Sequence, residues 1–318
     1  MVYRRNGIRQ QIRAISCFVF LLSALCGAQS TEPAPPVKAA KIGHGIVLHY
    51  VDQGSGVPVI FVHGSLSDGG YWHDQIPEFA KHYRAIAYSR RYNYPNENPA
   101  RRGYSAIVDA DDLAAFIRTL HLGRVVVIGH SYGAFTALYL ATRHPELVRA
   151  LVLCEAPAIS LLKDLPAAEA ATGNADFTDI QQHMVEPMQQ AFRKGDTEAG
   201  VAVFIDYVFR DPHAWEKMSE ASRKETLRDA HEWDVMMTTG TLFPDLDPKA
   251  VHKISAPTLL LSGAKSYPFL ALITQELARL LPNRQDIVLP DAGHQMWYQD
   301  PEICRNDVET FLNRAGIH

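Results

Sequence analysis

Hydrophobic residues along this chain fall into short unbroken runs separated by stretches of helical spacing. Val57 to Val62, Arg84 to Tyr88, Arg124 to Ile128, Leu147 to Leu153, Thr258 to Leu261 and Gln285 to Leu289 read as strands. Gly45 to Val51 reads as one more, joined to the next strand by a Gln-Gly-Ser-Gly turn. Between them, Ala106 to Leu120 carries Ile107, Leu113, Phe116, Ile117 and Leu120 near a helical period, and Trp72 to His82 and Pro301 to Asn313 also read as helices. Strand and helix signals that alternate in this way predict an α/β fold, a mostly parallel central sheet flanked by helices.

The alternation stops between Ala156 and Ser255. That segment is rich in Ala, Met, Gln, Glu and Asp, with helical stretches at Ile180 to Arg193, Glu198 to Phe209 and Ala214 to Trp233. An insertion of this size after a core strand predicts a helical cap over the strand ends, where open α/β sheets bind ligands. The expected division is a core of residues 41–155 and 256–318, with the cap at 156–255.

The N-terminus has a different pattern. Arg4, Arg5, Arg9 and Arg13 precede an apolar stretch from Ile15 to Leu25, and Cys26-Gly27-Ala28 has the small residues of a signal-peptidase site. The apolar stretch is short for a transmembrane helix. Residues 1–28 are therefore expected to be a cleaved signal peptide rather than an anchor, leaving a secreted or periplasmic protein with no stable membrane insertion. Residues 29–40, with the Pro-rich Thr31 to Pro36, are expected to be a linker.

Composition adds exclusions. A net charge of −4 implies no basic surface for nucleic acid. No His/Cys metal spacing occurs, so no metal site is expected. Of the four cysteines, Cys17 and Cys26 lie in the expected signal, while Cys154 and Cys304 sit in apolar segments and suggest buried thiols rather than a disulfide. Nothing in the pattern specifies an oligomer.

The candidate chemistry begins at Gly129-His130-Ser131-Tyr132-Gly133, between the strand ending at Ile128 and the apolar helix from Ala134 to Ala141. Gly-x-Ser-x-Gly at a strand-to-helix turn is the nucleophile-elbow pattern. A serine hydroxyl needs a base. The candidate is His294 in Asp291-Ala292-Gly293-His294, after the last strand, because loops on one edge of a parallel sheet converge. Asp291 is expected to be a turn residue. Trp72, Trp233, Trp297 and the Met236-Met237 pair either line an apolar pocket under the cap or pack in the core. Arg90-Arg91-Tyr92-Asn93-Tyr94-Pro95-Asn96 is either a substrate-edge loop offering a cation and aromatic faces or a loop tied down by hydrogen bonds. Arg90, Trp233 and Trp297 are the candidate substrate-binding residues. Asp109, Asp111 and Asp112 read as a solvated face near the positive end of their helix.

From Lys41 to the C-terminus the chain resembles the α/β-hydrolase family. The resemblance rests on His63-Gly64 after the third strand, on the Ser131 pentapeptide and on Gly293-His294. The family most often takes its triad acid from the loop after Thr258-Leu259-Leu260-Leu261-Ser262-Gly263, where this chain has Ser266 in place of an aspartate. Some members, including certain haloalkane dehalogenases and lipases, place the acid after the strand that follows the nucleophile. Here that position is Glu155, so the resemblance implies a Ser131-His294-Glu155 triad. It also implies an oxyanion hole made by the backbone N–H groups of Tyr132 and Ser65, with His63 supporting the loop. The expected activity is that of a serine hydrolase, a carboxylesterase acting on a small-molecule acyl substrate without cofactor or metal. A carbon–carbon bond hydrolase, a lactonase, an amidase or a cofactor-free haloperoxidase also fits a serine at this position. A ligand-binding protein with little or no turnover is the competing class, favoured by Ser266 and opposed by Glu155.

Overall fold

The computed structural model describes residues 36–318. The expected signal peptide and most of the expected linker lie outside the described residues. Eight strands form one sheet in the order β1-β2-β4-β3-β5-β6-β7-β8. They are β1 (Lys38–Gly43), β2 (Ile46–Gly54), β3 (Pro58–Val62), β4 (Arg84–Tyr88), β5 (Val125–His130), β6 (Val148–Cys154), β7 (Thr258–Gly263) and β8 (Arg284–Leu289). β2 pairs antiparallel with β1 and with β4, and every pair from β4 through β8 is parallel.

The unbroken apolar runs follow from cover on both faces. In β5, Val125 and Val127 face one core layer while Val126 and Ile128 face the other. The first layer holds α2 (Ala106–Thr119), α3 (Tyr132–Arg143) and much of the cap. The second holds the short α1 (Gln75–Phe79) and the C-terminal helix Pro301–Arg314.

The cap inserted between β6 and β7 includes α4 (Ala170–Ile180), α5 (Glu186–Arg193), α6 (Thr197–Phe209), α7 (Ala214–Lys217), α8 (Glu220–Arg228) and α9 (His231–Thr239). Three expectations about elements need correcting. β1 (Lys38–Gly43) starts inside the segment 29–40 read as linker, because Lys38-Ala39-Ala40-Lys41 on an edge strand carries no apolar alternation. The expected helix from Trp72 to His82 is a 3-10 turn (Gly69–Trp72) followed by α1, the turn being capped by the Asp68 carboxylate, which accepts from Gly70 N–H at 2.6 Å. Ala214 to Trp233 is not one helix but the succession α7, α8, α9, since the Ser219 hydroxyl accepts from Ser222 N–H and starts a new helix at α8.

β3, β5, β6, β7 and β8 run parallel, so the loops leaving them gather at one edge of the sheet. These loops carry Ser65, Ser131, Glu155, Ser266 and His294.

Candidate active site

Ser131 lies at φ 53°, ψ −122°, outside the regions an L-residue ordinarily occupies, as the residue before the first turn of α3. Its N–H donates to Cys154 O at 2.8 Å, tying the turn to the end of β6. The flanking glycines are required by close approach. A Cβ on Gly129 would lie 2.5 Å from Gly133 O, and one on Gly133 would lie 2.1 Å from Val62 O. Both obstacles are backbone, so neither can swing aside. Gly133→Ala is therefore expected to destabilise the protein by about 2 kcal/mol or more, read as a lowered midpoint in urea unfolding. A stability within about 0.5 kcal/mol of wild type would contradict this packing. Tyr132 occupies the first position of α3, where a backbone N–H has no partner within the helix.

Glu155 follows β6 with φ 52° and is buried. Three donors converge on its carboxylate. Gly263 N–H donates to Oε1 at 2.9 Å, and the Ser266 hydroxyl and His294 Nδ1–H each donate to Oε2 at 2.6 Å. Ser266, in the position where an aspartate was expected, thus serves the carboxylate supplied from the next strand over. The bond at Nδ1 fixes the tautomer that leaves His294 Nε2 free to accept a proton. Asp291 is exposed and paired with Lys265 at 2.9 Å.

Two neighbours of His294 carried no sequence signal. The His130 ring centre lies 4.7 Å from that of His294, and the Tyr267 ring centre lies 5.7 Å from it. His130 is buried, and burial together with the nearby His294 pushes its pKa down to about 3. As a neutral ring it donates from Nε2 to His294 O at 2.8 Å and so anchors the loop that carries the base. Tyr267 also lines a cleft of about 670 Å3 walled mostly by cap residues, among them Asp179, Asp206, Tyr207 and Arg210, and by Phe269; Ser131, Glu155 and His294 are not among its lining residues.

The His63-Gly64 loop is held from below. His63 is buried, and burial and then the Arg90 charge hold its pKa well below the usual histidine range. Its neutral ring donates from Nδ1 to Gly64 O at 2.9 Å and accepts from Arg90 N–H through Nε2 at 3.0 Å. Gly64 approaches the elbow so closely that a Cβ there would meet Ser131 Cβ at 3.2 Å.

Three of the assignments made from sequence require correction. Arg90 is fully buried and cannot meet a substrate at the surface. Its guanidinium donates to Asp109 at 3.0 Å and to Gly64 O at 3.0 Å, and lies against Glu232 at 2.5 Å. The segment after it is the loop tied by hydrogen bonds: Asn96 Nδ2 donates to Ser89 O and Arg90 O, and Asn98 Nδ2 to Val47 O and Arg91 O. Asp109 and Asp112 are buried partners of Arg90 and Arg91, not members of a solvated helix face. Trp297 packs on Trp72 in the core layer away from the cap, with Nε1 3.3 Å from Cys154 Sγ, and is structural. Trp233 is buried on the cap side against Phe204. Cys154 and Cys304 are free and buried.

Glu232, on α9, is fully buried, and burial pushes its pKa up from the ordinary 4.5 to about 7 against the opposing pull of Arg90 and Leu66 N–H. Between those two values the folded state holds a proton there that the unfolded chain has released, so this group lowers stability as pH rises from about 4.5 to about 7. Thermal unfolding across that range should decline less in Glu232→Gln than in wild type. Parallel declines would show that Glu232 does not titrate in this window.

A family model described as alpha/beta hydrolase fold matches residues 57–174. The protein BpoC of Mycobacterium tuberculosis, which carries a non-heme bromoperoxidase name, is 30% identical over 288 residues, covering 84% of this chain and 98% of its own. The chain belongs to the α/β-hydrolase fold family. A 2-(acetamidomethylene)succinate hydrolase of Mesorhizobium japonicum is 26% identical over 84% of this chain and 92% of its own. Among solved structures, the enol-lactonase of Burkholderia xenovorans superposes with a TM-score of 0.66 at 21% identity, covering 87% of this chain and all of that one, which speaks for the fold alone. This α/β hydrolase has hydrolase-type machinery on a capped core. Among its described residues no helix is long and apolar enough to cross a membrane.

Proposed function

We propose that this α/β hydrolase is a serine hydrolase that cleaves a carboxylic ester or related acyl compound through an acyl-enzyme. The observation that carries the reading is the 2.6 Å hydrogen bond from His294 Nδ1 to Glu155 Oε2, on the sheet edge where the Ser131 elbow also lies. In the first step His294 Nε2 takes the Ser131 proton as Oγ attacks the acyl carbonyl. The developing oxyanion is met by the backbone N–H groups of Tyr132 and Ser65. His294 then passes the proton to the leaving group. It next takes a proton from water as the water attacks the acyl-enzyme, and returns it to Ser131 Oγ as the bond to the acyl carbon breaks and the acid leaves. The buried Glu155 stabilises the imidazolium in both halves.

The chemistry draws on no cofactor or metal. The cap favours a small or medium substrate, and Trp233 and the cleft at Tyr267 are its proposed contacts. Export is part of the proposal, resting on the basic, apolar and small-residue succession of residues 1–28. A second reading is favoured by the BpoC likeness: oxidation of a halide by added peroxide, which is itself reduced to water, on the same serine scaffold.

Hydrolysis of p-nitrophenyl esters from acetate to octanoate tests the proposal. Turnover with a chain-length optimum is expected. Halide oxidation without ester turnover would favour the second reading.

A further inference from the structure

The Arg90 cluster is too elaborate for a simple buried ion pair, and it surrounds the groups proposed to bind the oxyanion. Gly64 C=O and Ser65 N–H belong to one planar trans peptide and point in opposite directions. The carbonyl is fixed by two buried donors, His63 Nδ1 at 2.9 Å and Arg90 Nη2 at 3.0 Å. Turning this peptide over would orphan both donors inside the protein. On the other side of Ser65, Leu66 N–H donates to Glu232 Oε1 at 2.7 Å, and Leu66 itself has φ 51°. Both peptides flanking Ser65 are therefore held, one by Arg90 from the end of β4 and one by Glu232 from cap helix α9. The two holders touch each other at 2.5 Å. The Arg90 guanidinium also lies 4.9 Å over the ring of Tyr132, the residue proposed to supply the other oxyanion donor. Asp109 fixes its far side at 3.0 Å and is itself held by the Tyr104 hydroxyl at 2.7 Å.

We propose that Arg90 and Glu232 are positioning residues that aim the Ser65 N–H, and that the Glu232–Leu66 bond makes the oxyanion hole depend on the seating of cap helix α9. The inference rests on the serine-hydrolase reading for its catalytic consequence, but not for the loop contact itself. The cap then does more than enclose substrate: a cap that is displaced releases Leu66, loosens the Ser65 peptide and weakens stabilisation of the oxyanion. Substrate binding that does not need the oxyanion hole is left almost untouched.

The test compares Glu232→Ala with Glu232→Gln at pH 8 by ester kinetics, thermal unfolding and hydrogen–deuterium exchange of the segment 62–68. Glutamine keeps an oxygen for Leu66 N–H and gives up the charged second oxygen, which pairs with Arg90 Nη2 at 2.5 Å, so it separates the Leu66 bond from the ion pair. In Glu232→Ala, kcat should fall about ten- to a hundredfold with KM within about threefold. Exchange of segment 62–68 should rise at the same time. Glu232→Gln should recover most of the rate and most of the protection. Unchanged exchange in Glu232→Ala would overturn the proposal, as would equal losses in the two variants, which would mark Glu232 as a charge partner of Arg90 only. If the wild-type protein hydrolyses no ester, the serine-hydrolase reading falls, and the exchange data still decide whether α9 holds the loop.

Discussion

Ser131→Ala is expected to lower ester turnover by about 10^4-fold or more while leaving the fold intact. Alanine removes Oγ, the only atom of the side chain that takes part in the proposed bond to the acyl carbon. It keeps the Cβ that packs 3.2 Å from the position a Gly64 Cβ would take. The elbow itself is held by backbone contacts: Ser131 N–H to Cys154 O at 2.8 Å, and Ala134 N–H to Ser131 O at 2.9 Å. These survive the substitution, so unfolding temperature should change little. Residual activity above the uncatalysed rate should persist, since the oxyanion donors and the pocket remain. A variant retaining a tenth of the wild-type kcat would remove Ser131 from the mechanism.

Glu155→Gln is expected to cost about as much as the loss of the corresponding acid in a serine-protease triad, on the order of 10^4-fold in kcat. Three donors converge on the two carboxylate oxygens. An amide offers one acceptor oxygen and one NH2 group, so each orientation sets donor against donor. If the NH2 faces His294, Nδ1 must accept and the ring proton moves to Nε2, where it blocks uptake of the Ser131 proton. If the NH2 faces Gly263, a buried backbone N–H loses its partner. Ser266→Ala is the matched control. It removes one of the three donors and leaves the carboxylate, so kcat should stay within about tenfold of wild type. A Glu155→Gln variant with kcat within threefold of wild type would show that His294 works without this acid.

The alternation of apolar runs and helical spacing made the parallel sheet and the cap legible, because a strand covered on both faces must be apolar at every position. His294 was legible because strand-end loops on one edge of the sheet converge, and Glu155 through the family resemblance, which places an acid after the strand that follows the nucleophile. Ser266 misled only if read alone; its hydroxyl is a third donor to a carboxylate from the neighbouring strand. Arg90 was harder. A doubled arginine followed by tyrosines and asparagines has the composition of an exposed loop, and its partners lie on α2 and α9, far away along the chain. Pairing of buried charges across such separations leaves no local periodic trace, and the same holds for Asp109 and Asp112. Trp297 was misplaced because an aromatic close after the base can face either core layer. The breaks within the cap arise from caps such as Ser219, in a polar stretch where helical propensity alone runs on.

The central claim is that Ser131 is a nucleophile activated at this site. Intact-mass spectrometry of the protein after brief exposure to a fluorophosphonate, followed by peptide mapping, measures it most directly. The account predicts one phosphonyl adduct per chain, mapped to Ser131, absent in Ser131→Ala and formed far more slowly in Glu155→Gln. An unlabelled wild-type protein, or an adduct at another residue, would contradict it.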